Sequence, residues 1–335
     1  MRPVPLILDV DTGIDDALAL LYACASEDAD LIAATCLYGN VTADRSVRNT
    51  LAVLAFAGRT GVEVARGAER PLVRDHEIFP VVHGEEGLGD AAVGDPPGEV
   101  SSRSAHQLIV ETARERPGEV VLVAVGPLTN VALALAEEPE LPTLLRGIVI
   151  MGGVFEGRGN VSPVAEANIW HDPEAASAVF RGSSGAPEEK LPVCIGLDVT
   201  ERVQMTSAHL DDLCACAPGS PLSDFLRDSV RFYIDFYASY GTRFDGAALH
   251  DPLAVAVALD PALVTLQTTR VEVETDGTWT RGETVADLDD VRRSPWDSGW
   301  PADDNARVAL TVDGDAFVDR FNERLQRFVT ATARS

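Results

Sequence analysis

Apolar positions along the chain fall in short continuous runs, and segments with helical spacing separate them. Pro5–Val10, Leu31–Leu37, Val62–Ala65, Val120–Val125 and Gly147–Met151 each read as strands rich in Val, Ile, Leu and Ala. Between them, Ile14–Ala25, Ser46–Ala57, Gln107–Arg116 and Leu128–Ala136 keep their apolar residues on one helical face. Strands that are continuously apolar, rather than alternating, are expected when helices cover both faces of a parallel sheet. The pattern predicts an open, doubly wound α/β fold with a mostly parallel sheet. In such folds ligands collect at the carboxyl edge of the strands. That directs attention to 9–16, 38–40, 126–130 and 152–168.

Further on, 67–100 and 181–190 read as long connections rich in Gly, Pro and acids, and the first is long enough to be a lid or binding element. An aromatic helix (Phe225–Tyr240), a helix opening at His250, a strand-rich patch near Leu263–Leu288 and a terminal helix after Asp313 complete the reading. No repeat or low-complexity tract interrupts the chain. The expectation is one domain over residues 1–335 with a small helical and strand appendage.

Composition narrows the partners. With 27 basic against 53 acidic residues the chain carries a net charge of −26, which argues against nucleic acid or an anionic membrane surface. No uncharged apolar stretch approaches the ~18 residues of a membrane span, and the N-terminal run lacks a signal-type apolar core, so a cytoplasmic protein is expected. Five cysteines, an odd number without metal-site spacing, read as reduced structural filler.

The densest chemistry is Asp9-Val10-Asp11-Thr12-Gly13-Ile14-Asp15-Asp16, four carboxylates at a strand end and helix start. Alternation puts Asp9 and Asp11 on one side, Gly13 permits a tight turn, and Asp15 and Asp16 fall in the first helical turn, where the dipole favours anions. Capping needs one or two acids. Four repel one another unless a cation compensates, so the segment predicts a divalent metal site. Without suitable Cys or His the metal should be hard, and calcium is favoured over magnesium for its tolerance of many oxygen ligands. The spacing is not that of an EF-hand. A haloacid dehalogenase-like phosphatase, which also places D-x-D after its first strand, is the alternative. It would need Asp9 as nucleophile, and here Thr12 and Gly13 stand in reversed order, with no place for Asp15-Asp16.

The chain resembles the nucleoside hydrolases of the inosine–uridine type over almost its whole length. The resemblance rests on DVDTGIDDALAL, with Thr12 where many members carry proline, and on Tyr38-Gly39-Asn40-Val41-Thr42, His83-Gly84 with Gly87-Leu88, and Val125-Gly126-Pro127-Leu128-Thr129-Asn130. Met151-Gly152-Gly153, Asn160, Glu166-Ala167-Asn168-Ile169, Asp172-Pro173-Glu174-Ala175 and His250-Asp251-Pro252 follow in order. It implies hydrolysis of the N-glycosidic bond of ribonucleosides, in nucleoside salvage, by a homodimer or homotetramer. It also implies calcium held by Asp11, Asp16, the Val125 carbonyl and Asp251, with Asp11 as general base and inversion at C1′. Asp15 and Asn168 would meet the ribose 2′-hydroxyl, Asn160 and Glu166 the 5′-hydroxyl, and Asn40 would support the diol and metal ligands. The substrate is then a small nucleoside rather than a nucleotide, since a phosphate would meet Glu166 and no Gly-rich phosphate loop is present.

Asp followed by Pro is a common helix opening, with Asp as N-cap, and it accounts for both His171-Asp172-Pro173 and His250-Asp251-Pro252. The resemblance separates them: His171 is read as structural and His250 as the acid for the departing base. His83 either faces the pocket or anchors its loop through a backbone hydrogen bond. The aromatic positions Phe232, Phe236, Tyr237 and Tyr240 read mainly as core, with Tyr240 taken as the residue lining the base pocket. Base preference is not legible, and Trp296 and Trp300 have no assigned role.

Overall fold

The computed structural model describes residues 2–239, 243–293 and 299–334. Five of the six parallel strands that open the main sheet lie within two residues of their predicted bounds: β1 (Val4–Val10), β2 (Ala29–Cys36), β3 (Glu63–Arg66), β4 (Val121–Ala124) and β5 (Gly147–Met151). The sixth, β6 (Val193–Ile195), was not anticipated, and neither was the strand Ala306–Val312 beside it. The sheet has eight strands in the order β3-β2-β1-β4-β5-β6, then Ala306–Val312, then Val264–Thr269. All pairings are parallel except the last, where Val264–Thr269 runs antiparallel at the edge.

Alternation along β1 explains why helices are needed on both faces. Leu6, Leu8 and Val10 face one buried layer, where the Ile14–Ala25, His250–Leu259 and Gly314–Thr332 helices pack. Ile7, with Leu122 and Ala124 of β4, faces the opposite layer, against the Ala105–Glu115, Thr129–Glu137 and Pro173–Gly182 helices. Removing most strand side chains from water on both faces is the main favourable term in this architecture. The aromatic helix runs Pro221–Ala238 and packs with an unanticipated helix, Ser207–Ala215. A short helix, Pro80–His83, lies within the long 67–100 connection. The patch near 263–288 supplies the edge strand and a two-stranded ribbon, Val271–Val273 with Thr284–Ala286.

All five cysteines are free thiols. Cys24, Cys36, Cys194 and Cys214 are buried, and burial pushes the Cys24 and Cys36 thiols up to about 12. Among the described residues no helix is long and apolar enough to cross a membrane.

The strand order reverses direction at β1. The chain moves outward through β2 and β3, then returns to place β4 on the other side of β1. The carboxyl ends of β1 and β4 therefore diverge into a crevice, which is where such a sheet binds its ligand. The amide of Val125 donates to the carbonyl of Asp9 at 2.9 Å, so the ends of the two strands are tied where the crevice opens.

Candidate active site

Local sequence builds the crevice floor. Gly13 is the N-cap of the Ile14–Ala25 helix, and Asp16 folds back over that start. Its Oδ2 accepts the Gly13 amide at 2.8 Å and its Oδ1 the Asp11 amide at 3.0 Å. Capping and site-building are thus done by the same carboxylate. Asp11 accepts the Asn40 amide on Oδ2 at 2.6 Å, while its Oδ1 is buried without a partner. Asn40 also donates through Nδ2 to Asp16 at 3.2 Å. Glycine is required beside Asp11: a Cβ on Gly39 would overlap Oδ2, and one on Gly126 would lie 2.9 Å from Oδ1.

Asp15 accepts the Tyr233 hydroxyl on Oδ2 at 3.2 Å and leaves Oδ1 buried and unpartnered. Asp251 arrives from the His250–Leu259 helix, 235 or more residues away in sequence, and offers an oxygen to the same point. The oxygens of Asp15, Asp16 and Asp251 lie within 4.8 Å of one another. The two His-Asp-Pro segments part company here. Asp172 caps its helix by accepting the Ala175 amide, whereas Asp251 lies inside the first turn of a helix whose N-cap is Leu249, so its carboxylate is free for the site.

Burial raises the carboxyls of Asp11 and Asp251 well above their ordinary 3.8, and that of Asp16 to about 7. Repulsion adds to each: Asp16 acts on Asp11, and Asp15 on Asp16 and Asp251. Clustered buried carboxylates with unmet oxygens are unfavourable unless a cation compensates. The donors are all oxygen, which suits a hard divalent ion. The shared point fits a metal, with Asp15 joining the expected Asp16 and Asp251, while Asp11 adjoins the cluster through the hydrogen bond from its amide to Asp16.

Asp9 stands apart. It is fully buried, and its Oδ1 accepts from Thr35 at 2.6 Å and Asn130 at 2.8 Å. Burial raises its carboxyl to about 7. It does not line the cavity, so the nucleophile a dehalogenase-like phosphatase requires is sealed in the sheet. Thr12 is buried as well and bonds the Thr50 hydroxyl at 2.6 Å, a role proline could not fill.

Above the floor is a cavity of about 330 Å³. Asp15, Asn40, Val125, Asn160, Glu166 and Asn168 line it, together with His83, His250 and Asp251. Asp11 and Asp16 lie directly behind Asn40. Asn168 bridges two strand ends, donating to the carbonyls of Val125 at 2.8 Å and Met151 at 3.1 Å. Glu166 accepts the amides of Gly153, Asn168 and Ile169, and burial raises its carboxyl to about 7.

His83 does both things its position allowed. Its Nδ1 accepts the Ile14 amide at 3.1 Å, which fixes the long connection to the helix start and leaves the ring proton on Nε2. The residue also lines the cavity, 5.5 Å from the Tyr233 ring. His250 is held at both nitrogens, by Thr200 Oγ1 at 2.7 Å and by the Tyr237 hydroxyl at 2.6 Å. Burial lowers its pKa to about 4, so it rests neutral. Tyr237 and Tyr233, one helical turn apart, both line the cavity. Tyr237 read mainly as core in the sequence, and Tyr233 was not singled out there. Tyr240 and Trp296 lie outside the described residues. His171, read as structural, stands on the cavity wall with Phe79.

Known proteins match this chain in sequence and fold. The family model described as inosine-uridine preferring nucleoside hydrolase matches residues 6–319. A pyrimidine-specific ribonucleoside hydrolase from Enterobacter sp. (strain 638) is 41% identical over 325 residues, 97% of this chain and 98% of that one. Its counterpart from Escherichia coli O7:K1 is 40% identical over 324 residues, covering 96% and 98%. Among solved structures, a purine-preferring ribonucleoside hydrolase from Gardnerella vaginalis superposes with a TM-score of 0.88 at 36% identity, covering 98% of this chain and 99% of that one. A plant nucleoside hydrolase does so with the same TM-score at 34% identity, covering 97% and 99%. Both the acidic floor at the strand reversal and these end-to-end matches lead to one assignment: the chain belongs to the inosine-uridine preferring nucleoside hydrolase family.

Proposed function

We propose that the protein hydrolyses the N-glycosidic bond of ribonucleosides, releasing nucleobase and ribose, and that pyrimidine nucleosides are its preferred substrates. The observation that carries the reading is the convergence of Asp11, Asp15, Asp16 and Asp251 beneath a cavity walled by the Tyr237–His250 pair. The named activity of the relatives at about 40% identity supports the pyrimidine preference.

Asp11, Asp16, Asp251 and the Val125 carbonyl would hold the metal, which we take to be Ca²⁺. When bound, such an ion grips a vicinal diol and acidifies a water. Asp11 would act as general base: Asn40 fixes one oxygen, and the unpartnered other would take a proton from the attacking water. Asp15 and Asn168 bind the 2′-hydroxyl, Asn160 and Glu166 the 5′-hydroxyl, and Asn40 supports the diol. Positive charge developing on the sugar ring is stabilised by the surrounding carboxylates. Attack opposite the departing base gives inversion.

Leaving-group protonation passes through Tyr237. His250 Nε2 is already engaged with the Tyr237 hydroxyl, so the imidazole does not meet the base directly. If Thr200 donates to Nδ1, Nε2–H donates to Tyr237, and the phenol keeps a proton of its own that it can give to the base. The sequence pointed to His250 as the acid. The geometry supports His250 acting behind Tyr237. The same reading holds the chain to be one domain, working in the cytoplasm as a homodimer or homotetramer in nucleoside salvage.

The test is a panel of purine and pyrimidine nucleosides incubated with wild type, with chelator-treated enzyme and with Asp11→Asn. Ribose should appear from the pyrimidines, and Asp11→Asn should lose about 10²–10⁴-fold in kcat. No ribose from any nucleoside, or turnover indifferent to both treatments, overturns the proposal.

A further inference from the structure

We propose that His171 is a further specificity residue, supplying the cavity with a hydrogen bond to the 5′-hydroxyl of the substrate. The proposal rests on the nucleoside reading above. His171 is 6% exposed and lines the cavity on the Ala167–His171 helix, which also carries Asn168. Its Nδ1 is buried without a hydrogen bond, and neither ring nitrogen bonds to another described residue. Its neighbours are rings: Trp170 at 5.6 Å, Phe79 at 6.0 Å and Tyr38 at 6.5 Å between centroids. A neutral imidazole always carries one donor and one acceptor, and buried polar atoms of this kind are rarely left unmet. His83 and His250, by contrast, have bonded nitrogens. The chain itself gives His171 packing but no polar partner, which leaves a ligand to supply it.

The cavity geometry selects the partner. Asp15 acts electrostatically on His83 and His250, whereas the charged groups that register at His171 are His76 and Arg281. Glu166 caps the helix that His171 ends, and Asn160 Oδ1 accepts the Ala167 amide at its start, so the three residues belong to one stretch of the cavity wall. On the proposed binding mode the diol meets the carboxylate floor and the base meets Tyr237. The 5′-hydroxyl is the remaining polar group of a nucleoside sugar, and it belongs on the wall that Asn160, Glu166 and His171 share. Burial lowers the His171 pKa to about 4, so at neutral pH the imidazole can both donate and accept towards a hydroxyl.

The test compares uridine with 5′-deoxyuridine on wild type and His171→Phe, which keeps a ring among rings but removes both nitrogens. His171→Phe should lower kcat/KM for uridine roughly five- to tenfold and leave 5′-deoxyuridine within about twofold. Equal losses on both substrates, or no loss on uridine, overturn the proposal. If phenylalanine prevents folding, as judged by thermal melting, His171→Leu takes its place in the same comparison. If wild type hydrolyses neither nucleoside, the nucleosidase reading falls, and calorimetric binding of methyl β-D-ribofuranoside, a ribose locked in the five-membered ring, and of its 5-deoxy analogue decides for His171 separately. Preference for the parent riboside that is lost in the variant supports the role, and unchanged or absent preference overturns it.

Discussion

Calcium should weaken the way this protein responds to acid. Asp16 has a folded-state pKa raised to about 7 from 3.8, with desolvation first and Asp15 second among the causes. Without a cation the folded chain favours the protonated carboxyl. The stability this confers is fully present below about 3.8 and is lost as pH rises through about 7. At about 1.4 kcal/mol per pH unit, that interval amounts to on the order of 4 kcal/mol. Asp11 and Asp251 are displaced in the same direction, so a chelated sample should melt higher at pH 5.5 than at pH 8. Cation binding needs the ionised forms and so opposes the preference. At 100 times Kd, a ligand specific for the folded state contributes about 2.7 kcal/mol. With about 2.1 cal/mol/K of unfolding entropy per residue over 335 residues, the melting temperature at pH 8 should rise about 4 °C. The assay is thermal melting by circular dichroism at both pH values, with chelator and with excess calcium. Parallel pH profiles in the two conditions, or no calcium shift at pH 8, would refute the reasoning.

Two other changes probe separate parts of the site. Tyr237→Phe removes the bond to His250 and should lower kcat for uridine by about 10²-fold, while a riboside whose leaving group needs no proton, such as p-nitrophenyl riboside, keeps near wild-type turnover. A comparable loss on both substrates would show that Tyr237 only shapes the pocket. Gly39→Ala drives a methyl into Asp11 and should cost at least about tenfold in kcat with secondary structure retained, as steady-state assays and far-UV circular dichroism would show.

What the sequence revealed followed from how local each signal is. The DVDTGIDD segment could be read directly because strand, turn and helix start are contiguous, so Asp11, Asp15 and Asp16 are neighbours in both chain and space. Asp251 and His250 join them only through tertiary packing of the Ile14–Ala25 and His250–Leu259 helices, and nothing near them in sequence marks the partnership. They were found through family resemblance. β6 escaped notice because three residues are too few to show a period, and its identity depends on β5 and Ala306–Val312 on either side. Tyr237 was visible within an aromatic stripe and Tyr233 was passed over, because an aromatic that is both packed and bonded through its hydroxyl has no distinct sequence signature. His171 followed the same logic in reverse. Its neighbour Asp172 caps a helix, and that bland explanation covered a ring that stands on the cavity wall.

Among the thiols, Cys216 alone keeps appreciable contact with solvent. A maleimide fluorophore should therefore attach at one position without any cysteine being engineered away. That position lies at the C-terminal end of the Ser207–Ala215 helix, which packs on the Pro221–Ala238 helix bearing Tyr233 and Tyr237. Wild-type protein thus comes with a built-in labelling position on the helix packed against the one that carries the proposed proton donor, and substrate-linked motion there can be followed in real time.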